Sequence, residues 1–326
     1  MTQVSLTPPG RLKAYDPAQD ADAVIKLIEE IFNLKTDPES MNIINQMRLA
    51  AQRQTQPGLN ASVYRQPGYV WVMDDQIVGN INIVSFLDKL RHIALIANVA
   101  VKPEFQHLGI ATALTKHALR YAQQKRASEV WLQVSSENQA AQNLYAGLGF
   151  QVIRKVNNWV LEQAQPKIRS LTSCDSAKFT LTRRRIGDWI KQKIWLEAAY
   201  PMDTRWYASV NFNQFRPLAW LNPFSWDWVG NLTHFALRKE QKLAGLLSWQ
   251  TGMQNADYLW LAIPENPEED NVLTCLVRNF LDNEWGGRTT RLEYPEGRME
   301  IALERLGFHL NRRLNWMKFK DRKSVV

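Results

Sequence analysis

The turn from Gln106 to Ala111, QHLGIA, concentrates the backbone groups of this sequence that could bind an anion. It follows an apolar stretch that ends before Pro103, and it runs directly into an amphipathic segment that is predicted to be a helix. The N–H groups of a first helical turn have no partner within the helix and carry a partial positive charge, so they attract phosphate groups. Gly109 and Ala111 are small enough to let a pyrophosphate approach the backbone, and Gly109 can adopt a positive φ. The spacing therefore predicts a phosphate-binding loop.

This loop resembles motif A of the GNAT superfamily of acyl-CoA-dependent N-acetyltransferases, in which Gln or Arg precedes two residues, Gly, one residue and Gly or Ala. Gln106, Gly109 and Ala111 match these positions. A predicted strand over residues 129–134 is followed by a predicted helix that begins at Asn138 and closes with the sequence GLGF. That order resembles motif B of the same family, and the chain is accordingly identified as similar to GNAT N-acetyltransferases.

The resemblance implies acetyl-CoA as co-substrate and an amine as acceptor. In such a site the pyrophosphate lies on the loop, the strand before it offers backbone groups to the pantetheine arm and an N–H to the thioester oxygen, and a tyrosine faces the departing thiolate. The residues that the resemblance assigns to acetyl-CoA are Asn98, Val99, Ala100, Val101, Gln106, His107, Leu108, Gly109, Ile110, Ala111, Thr112, Asn138, Asn143 and Tyr145.

Tyr145 is the catalytic residue that the resemblance implies. A phenol with a pKa of about 10 is a weaker acid than a thiol of about 8.5, so a hydrogen bond to the developing thiolate and full proton donation are both open roles. A packed core aromatic is the alternative for Tyr145. Asn138 and Asn143 could hold the pantetheine arm or face solvent.

A general base is not evident in the sequence. The family often carries an acidic residue or a histidine nine or eleven residues ahead of the first motif position, and here these places hold Ala97 and Leu95. His92 lies further back, where an edge histidine is the simpler interpretation. The five histidines and two cysteines show no metal-ligand spacing, so no metal is predicted.

The remaining pattern of the first half predicts the elements that would position these residues. Helices are expected from Asp20 to Phe32 and over residues 40–54, a hairpin over 69–86, a buried strand over 93–101 and a helix over 111–125. The expected fold class is α/β (mixed α+β), with two tandem GNAT folds, each a twisted mixed sheet flanked by helices.

A chain of 326 residues is long enough for two domains. A polar stretch after Glu162 predicts the linker between a catalytic GNAT domain over residues 1–162 and a degenerate GNAT-like domain over residues 170–326. An internal repeat supports this division. The matched segments are LGF at 148–150 and 306–308, QIVG at 76–79 and KLAG at 242–245, and the strands at 99–101 and 261–263.

The repeat also predicts that the second half has lost its phosphate loop. Glu268, Asn271 and Leu273 fall at the positions of Gln106, Gly109 and Ala111, and Leu303 falls at that of Tyr145. Carboxylates next to a diphosphate repel it, and a leucine blocks close approach to the backbone.

The distribution of charge along the chain indicates which kinds of partner the protein could bind. The first 162 residues carry 16 basic and 14 acidic side chains and the remainder 24 and 18, so most of the net charge of +8 lies in the second half. This predicts a solvated basic face, with an acidic partner or nucleic acid as the alternative.

Cys174 and Cys275 are predicted to be free buried thiols. An aromatic-rich stretch over residues 206–228 predicts packing, or alternatively a wall of an acceptor pocket.

The N-terminus shows no signal-peptide pattern and no apolar run approaches 18 residues, which predicts a cytoplasmic protein without a membrane partner, either monomer or homodimer. The favoured function is an N-acetyltransferase that transfers an acetyl group from acetyl-CoA to a primary amine of a small molecule, an amino acid or a peptide α-amine. The alternatives are a non-catalytic acyl-CoA-binding sensor and a nucleic-acid-associated protein, the latter expected less from this sequence.

Overall fold

A computed structural model describes residues 8–32, 48, 67–88, 90–162, 174, 178–207, 212–217, 232–251 and 256–320. The helix predicted over 40–54 lies outside these residues apart from position 48, and so do Trp220, Phe224, Trp226 and Trp228 of the aromatic-rich stretch. The chain divides into two compact units. Unit 1 comprises Met1–Val134, Asn138–Ile153 and Trp316–Val326, and unit 2 comprises Ser135–Glu137 and Arg154–Asn315.

The two halves of the chain have the same order of elements. The first series is β1 (Arg11–Ala14), α1 (Pro17–Phe32), β2 (Gly68–Met73), β3 (Gln76–Asp88), β4 (Arg91–Val101), α2 (Ile110–Gln124), β5 (Glu129–Ser135), α3 (Gln139–Gly147) and β6 (Phe150–Leu161). The second is β7 (Phe179–Arg183), α4 (Trp189–Ala199), β8 (Leu232–Lys239), β9 (Lys242–Gln250), β10 (Asp257–Ala262), α5 (Glu269–Asn283), β11 (Thr290–Pro295), α6 (Glu300–Arg305) and β12 (His309–Phe319). The predicted repeat and the mixed α/β class are confirmed.

The sheet of unit 1 has the strand order β1-β2-β3-β4-β5, and the end of β12 follows β5. β4 and β5 are parallel, and the pairs from β1 to β4 are antiparallel. Side chains alternate across the sheet, so one apolar set of β2 packs on α1 and the other packs on α2. The α1 set includes Val70 and Val72, and the α2 set includes Trp71. The amphipathic patterns predicted for α1 and α2 therefore cover opposite faces of one sheet.

The core of unit 1 is completed by residues from the end of the chain. Met317 belongs to the same buried cluster as Tyr145, and the partly buried Phe319 packs against that cluster with its ring 5.5 Å from that of Phe150. The N–H of Lys320 donates to the carbonyl of Gly149 at 3.0 Å. The compact units thus differ from the predicted ranges 1–162 and 170–326, because the final strand packs into the first core.

Unit 2 has the strand order β6-β11-β10-β9-β8-β7, in which β10 and β11 are parallel. Its largest apolar cluster includes Leu273, Leu276 and Phe280 of α5, together with Phe235 and Leu247 of the sheet. A single 3₁₀ turn at Ile186–Asp188 leads directly into α4.

Cys174 and Cys275 form a disulfide, so the prediction of free thiols was wrong. Their Cα atoms lie 5.1 Å apart, within the range that a disulfide bridges, although 101 residues separate them in sequence. Tertiary packing in unit 2 brings the two together, and their spacing along the chain carries no signal of this. Within the described ranges, no helix combines the length and the apolar character needed to cross a bilayer.

Candidate active site

The predicted phosphate loop, residues 106–111, is exposed from Gln106 to Gly109 and leads into a helix that no side chain caps. Gly109 has a φ of 82° at the N-cap of α2, and His107 also has a positive φ of 62°. The carbonyl of Gly109 accepts the N–H of Ala113 at 2.9 Å, which closes the first helical turn. Where residues with a positive φ alternate with residues that have a negative φ, successive N–H groups point toward one concave surface. Such a surface is suited to anions. The positive φ that the sequence allowed for Gly109 is therefore present.

Buried apolar residues hold the start of α2 against the sheet. Ile110 and Leu114 are fully buried, while Leu108 and Gly109 remain exposed. The glycine at position 79 on β3 lets α2 lie this close to the sheet, since a Cβ there would lie 3.2 Å from side-chain atoms of Ile110 and Leu114. Gln106 reaches back and donates from Nε2 to the carbonyl of Val101 at 3.2 Å. The loop is thereby tied to the strand that precedes it.

The strands β4 and β5 part in front of this loop. Their parallel pairing covers Ile93–Ile96 with Glu129–Leu132 and ends there. Beyond Ile96, β4 pairs with β3 alone, through Ala97, Ala100 and Val101. In this segment Ala100 and Val101 are buried, and Asn98 and Val99 are half-buried. Backbone groups on the β5 side of this segment are therefore not used in a sheet ladder, as an extended pantetheine arm would require.

Tyr145 is buried on α3, with 7% of its surface exposed, and its ring packs edge-on against Phe150. Burial raises the pKa of its hydroxyl to about 12. Asn138 is the N-cap of α3, and its Oδ1 accepts the N–H of Ala141 at 2.9 Å. Asn143 is exposed, and its Oδ1 accepts from Gln139 Nε2 at 2.8 Å. Both asparagines thus have local partners on α3.

The structure offers no acidic or imidazole side chain on β4 where the strands part. Ala97 and Leu95 hold the positions named above, and His92 lies at the opposite end of β4 with its carbonyl bonded to Ser128. His117 lies two turns into α2 with its ring 4.1 Å from Tyr69, and burial lowers its pKa. No cluster of three or more His, Cys, Asp or Glu in the described part of the chain could hold a metal ion.

Three asparagines meet at the point where β4 leaves β5, and sequence reasoning did not group them. Asn80 and Asn82 of β3 are buried, and Asn98 of β4 has a φ of 52°. Nδ2 of Asn80 donates to the carbonyl of Asn98 at 2.9 Å and to Oδ1 of Asn82 at 3.0 Å. Nδ2 of Asn98 donates to the same Oδ1 at 3.2 Å. We call Asn80, Asn82 and Asn98 the asparagine cluster. Two polar residues in an apolar alternating strand were its only sequence signal.

The corresponding region of unit 2 is built differently. Glu268 precedes α5 and pairs with Lys239 at 2.7 Å, while Glu269 in the first turn pairs with Arg298 at 2.5 Å. The hydroxyl of Tyr200 is fully buried and accepts the N–H of Leu261 at 3.4 Å. Leu261 aligns with Val99 in the repeat. The N–H of Leu261, which corresponds to the N–H of Val99, therefore already has a partner within the protein.

The family model for the acetyltransferase (GNAT) family matches residues 28–150, which contain the phosphate loop, β4, β5 and α3. Residues 28–150 therefore belong to the GNAT acetyltransferase family. Among the curated relatives is the [ribosomal protein bS18]-alanine N-acetyltransferase of Escherichia coli (strain K12), which is 37% identical over 57 residues, or 18% of this chain and 38% of the relative. An uncharacterized N-acetyltransferase of Methanocaldococcus jannaschii is 37% identical over 79 residues, 24% of this chain and 34% of the relative. The chain thus spans less than two fifths of the length of these relatives.

Solved structures resemble nearly the whole chain. A GCN5-related N-acetyltransferase from Sphaerobacter thermophilus matches with a TM-score of 0.59 and 16% identity, covering 96% of both chains. A tandem GNAT protein from the clavulanic acid biosynthesis pathway matches with a TM-score of 0.51 and 15% identity, covering 94% of this chain and 98% of its own. At these identities the likeness shows the fold, which is that of tandem GNAT proteins.

Proposed function

We propose that this protein transfers the acetyl group of acetyl-CoA to an amine at a single site in unit 1. The observation that carries the proposal is the parting of β4 from β5 directly before the uncapped start of α2. The gap offers unpaired backbone groups to an extended arm, and the exposed loop offers N–H groups to the pyrophosphate at its end. Asn98 to Val101 would bind the arm and residues 106–112 the phosphates.

Tyr145 is proposed to stabilise the departing thiolate by donating a hydrogen bond. With a phenol pKa of about 12 and a thiol pKa of about 8.5, moving the phenolic proton fully to the thiolate costs about 5 kcal/mol. A hydrogen bond that strengthens as charge develops on sulfur needs no such transfer. Of the two roles left open by the sequence, the buried environment favours the hydrogen bond.

Unit 2 is proposed to be a degenerate GNAT half without acetyl-CoA binding. Its α5 start carries Glu268 and Glu269, whose ion pairs with Lys239 and Arg298 hold carboxylates where phosphates would lie. The Tyr200 hydroxyl already accepts the Leu261 N–H, so a thioester oxygen would have to displace a buried side chain.

The acceptor is proposed to be an amine of low pKa, such as a peptide or amino-acid α-amine. The β4 positions Ala97 and Leu95 carry neither a carboxylate nor an imidazole, which favours an amine that arrives neutral. A water chain to Glu29 or Glu30 on α1 is the alternative route for the proton. At pH 7 about one α-amine in seven is neutral, against about one lysine ε-amine in 2,500. The alanine acceptor named for the Escherichia coli relative supports this choice, since the amine of an alanine is an α-amine.

The test compares two peptides, one with a free N-terminal alanine and no lysine, and one with a blocked N-terminus and one lysine. Thiol release from acetyl-CoA is followed between pH 7 and pH 9. We expect the α-amine peptide to react faster at pH 7, with kcat/KM rising about sevenfold and levelling near pH 8, whereas the ε-amine rate rises about 100-fold without levelling. Faster reaction of the lysine peptide at pH 7 would show that a base is present and overturn the acceptor assignment. No thiol release with either peptide, or with a panel of small amines, would overturn acetyl transfer itself.

A further inference from the structure

The hydrogen-bond directions within the asparagine cluster are fixed by one backbone group. The carbonyl of Asn98 can only accept, so Asn80 must turn its amide nitrogen toward it. The same nitrogen then donates to Asn82, which must present Oδ1 and accept a second bond from Asn98. No amide of the cluster can be reversed without losing a bond. Among the residues that the structure describes, Oδ1 of Asn80 has no hydrogen-bond partner and is buried, a cost that interiors rarely retain unless the residue has a role.

The cluster surrounds a bulge in β4. Asn80 pairs with Ala100 and Asn82 pairs with Ala97, so one residue of β3 lies opposite two residues of β4, Asn98 and Val99. A bulge of this kind bends the strand and re-aims the backbone groups beside it. Because the last pair between β4 and β5 involves Ile96, the re-aimed groups lie where the two strands have parted.

Unit 2 provides an internal comparison in which cluster and bulge are both missing. Leu246 and Ser248 occupy the β9 positions that correspond to Asn80 and Asn82. The pairs of β9 with β10 continue there without an extra residue, Ala262 with Leu246, Leu261 with Leu247 and Trp260 with Ser248. Ser248 bonds instead to His234 and Gln192, at 2.8 and 3.0 Å. The extra strand residue is therefore present only in the half that keeps the asparagines.

We propose that the asparagine cluster is the positioning device for the acyl group, holding β4 in its bulge so that the N–H of Val99 faces the thioester oxygen. The inference rests on the proposed acetyl transfer and assigns residues beyond it. Asn80 and Asn82 are positioning residues in this account, since they act through the backbone of Asn98 and Val99 and touch neither acetyl-CoA nor the amine.

Two aspartate variants separate hydrogen-bond direction from charge. Asn80→Asp removes both donors and turns a carboxylate toward the Asn98 carbonyl and Asn82 Oδ1, so the bulge loses its support. Asn82→Asp keeps an acceptor where two donors already converge, and its negative charge strengthens both bonds. Both substitutions conserve size and add the same charge at buried positions of one strand.

The readout is the infrared band of acetyl-CoA labelled with ¹³C at the thioester carbonyl and bound to the full chain. A hydrogen bond from Val99 lowers the carbonyl frequency relative to free acetyl-CoA. We expect wild type and Asn82→Asp to show the lowered frequency, and Asn80→Asp to show the free frequency with kcat about 100-fold lower. Acetyl-CoA affinity, measured by calorimetry, is expected to change by less than about threefold in both variants because the phosphate loop is untouched.

Equal loss of the carbonyl shift in both variants, or its retention in Asn80→Asp, overturns the assignment while leaving acetyl transfer by the wild type intact. If wild type binds no acetyl-CoA, the proposed function and this inference fail together. Where Asn80→Asp does not fold, Asn80→Ala removes the same donors without adding charge and is expected to lose the shift.

Discussion

At the scale of single residues, burial decides what Tyr145 can do. Its pKa of about 12 lies far above the pH range in which amines react, so the phenol stays protonated from pH 6 to pH 10. It is therefore available as a hydrogen-bond donor at every pH in this range. Its own ionisation begins to remove the donor only as the pH approaches 12.

Replacing Tyr145 with phenylalanine removes the donor and leaves the ring that packs on Phe150. We expect kcat to fall about 100-fold, the usual effect of losing one donor to developing charge. Because the phenol does not titrate between pH 6 and pH 10, the ratio of wild-type to variant kcat is expected to be constant over that range. A wild-type alkaline limb near pH 10 that disappears in Tyr145→Phe would contradict this role.

The motif residues were predictable from sequence, since local backbone requirements fix them. Gly109 with its positive φ and the uncapped helix start follow from the spacing of small residues. The asparagine cluster was not predictable, because Asn80, Asn82 and Asn98 meet only through the register of β3 against β4. Polar residues in an otherwise apolar strand indicate a special position without indicating their partner.

At the scale of elements, a glycine in each half lets a helix lie close on its sheet. A Cβ at Gly79 would lie 3.2 Å from Ile110 and Leu114 of α2. A Cβ at the matching Gly245 would lie 2.8 Å from Val272 of α5 and 3.7 Å from Leu276. The contacted residues occupy the same helical positions, so the repeat extends from sequence to packing.

Gly79→Ala and Gly245→Ala are expected to differ in function more than in stability. Added volume in a packed core lowers the free energy of unfolding, by about 1 to 3 kcal/mol for such changes, with Gly245→Ala the more severe because its contact is shorter. Only Gly79→Ala displaces the start of α2 and should weaken acetyl-CoA binding severalfold.

Urea unfolding and calorimetry on the full chain check both effects. Gly286→Ala, where an added Cβ meets nothing within 4 Å, is the control and should stay within about 0.5 kcal/mol of wild type. Weakened acetyl-CoA binding in Gly245→Ala equal to that in Gly79→Ala would contradict the assignment of the site to unit 1.

Regular elements followed from hydrophobic periodicity, but features that depend on distant segments did not. The hairpin of β2 and β3 and the helix α2 appeared where alternation and amphipathic spacing indicated them. The bulge at Asn98 and the bond between Cys174 and Cys275 depend on contacts made only in the folded chain. Local pattern carries no information on such pairing.

At the scale of the whole molecule, the sequence contains two copies of one fold, and matching places in the two copies are built differently. Unit 1 keeps an open phosphate loop, parted strands and a bulge, while the same places in unit 2 hold ion pairs, a tyrosine hydroxyl and an unbulged strand. Unit 1 also includes Met317 in its core, with Phe319 packed against it, so residues 1–162 alone lack part of that core. Internal repeats revealed the duplication, whereas the contribution of the last strand to unit 1 required the structure.

Calorimetric titration of acetyl-CoA into the full chain, using wild type, Gly109→Asn and Gly109→Asp, tests whether residues 106–111 form a single phosphate site. Asn and Asp both tolerate positive φ and have nearly the same size, and the nearest atom to an added Cβ is on Pro8 at 3.7 Å, so the variants differ in charge alone. We predict one acetyl-CoA per wild-type chain, binding in Gly109→Asn within about tenfold of wild type, and at least about 100-fold weaker binding in Gly109→Asp, with a deficit that shrinks as salt is added. Two molecules bound per chain, or equal affinities of the two variants, would contradict a single phosphate site at residues 106–111.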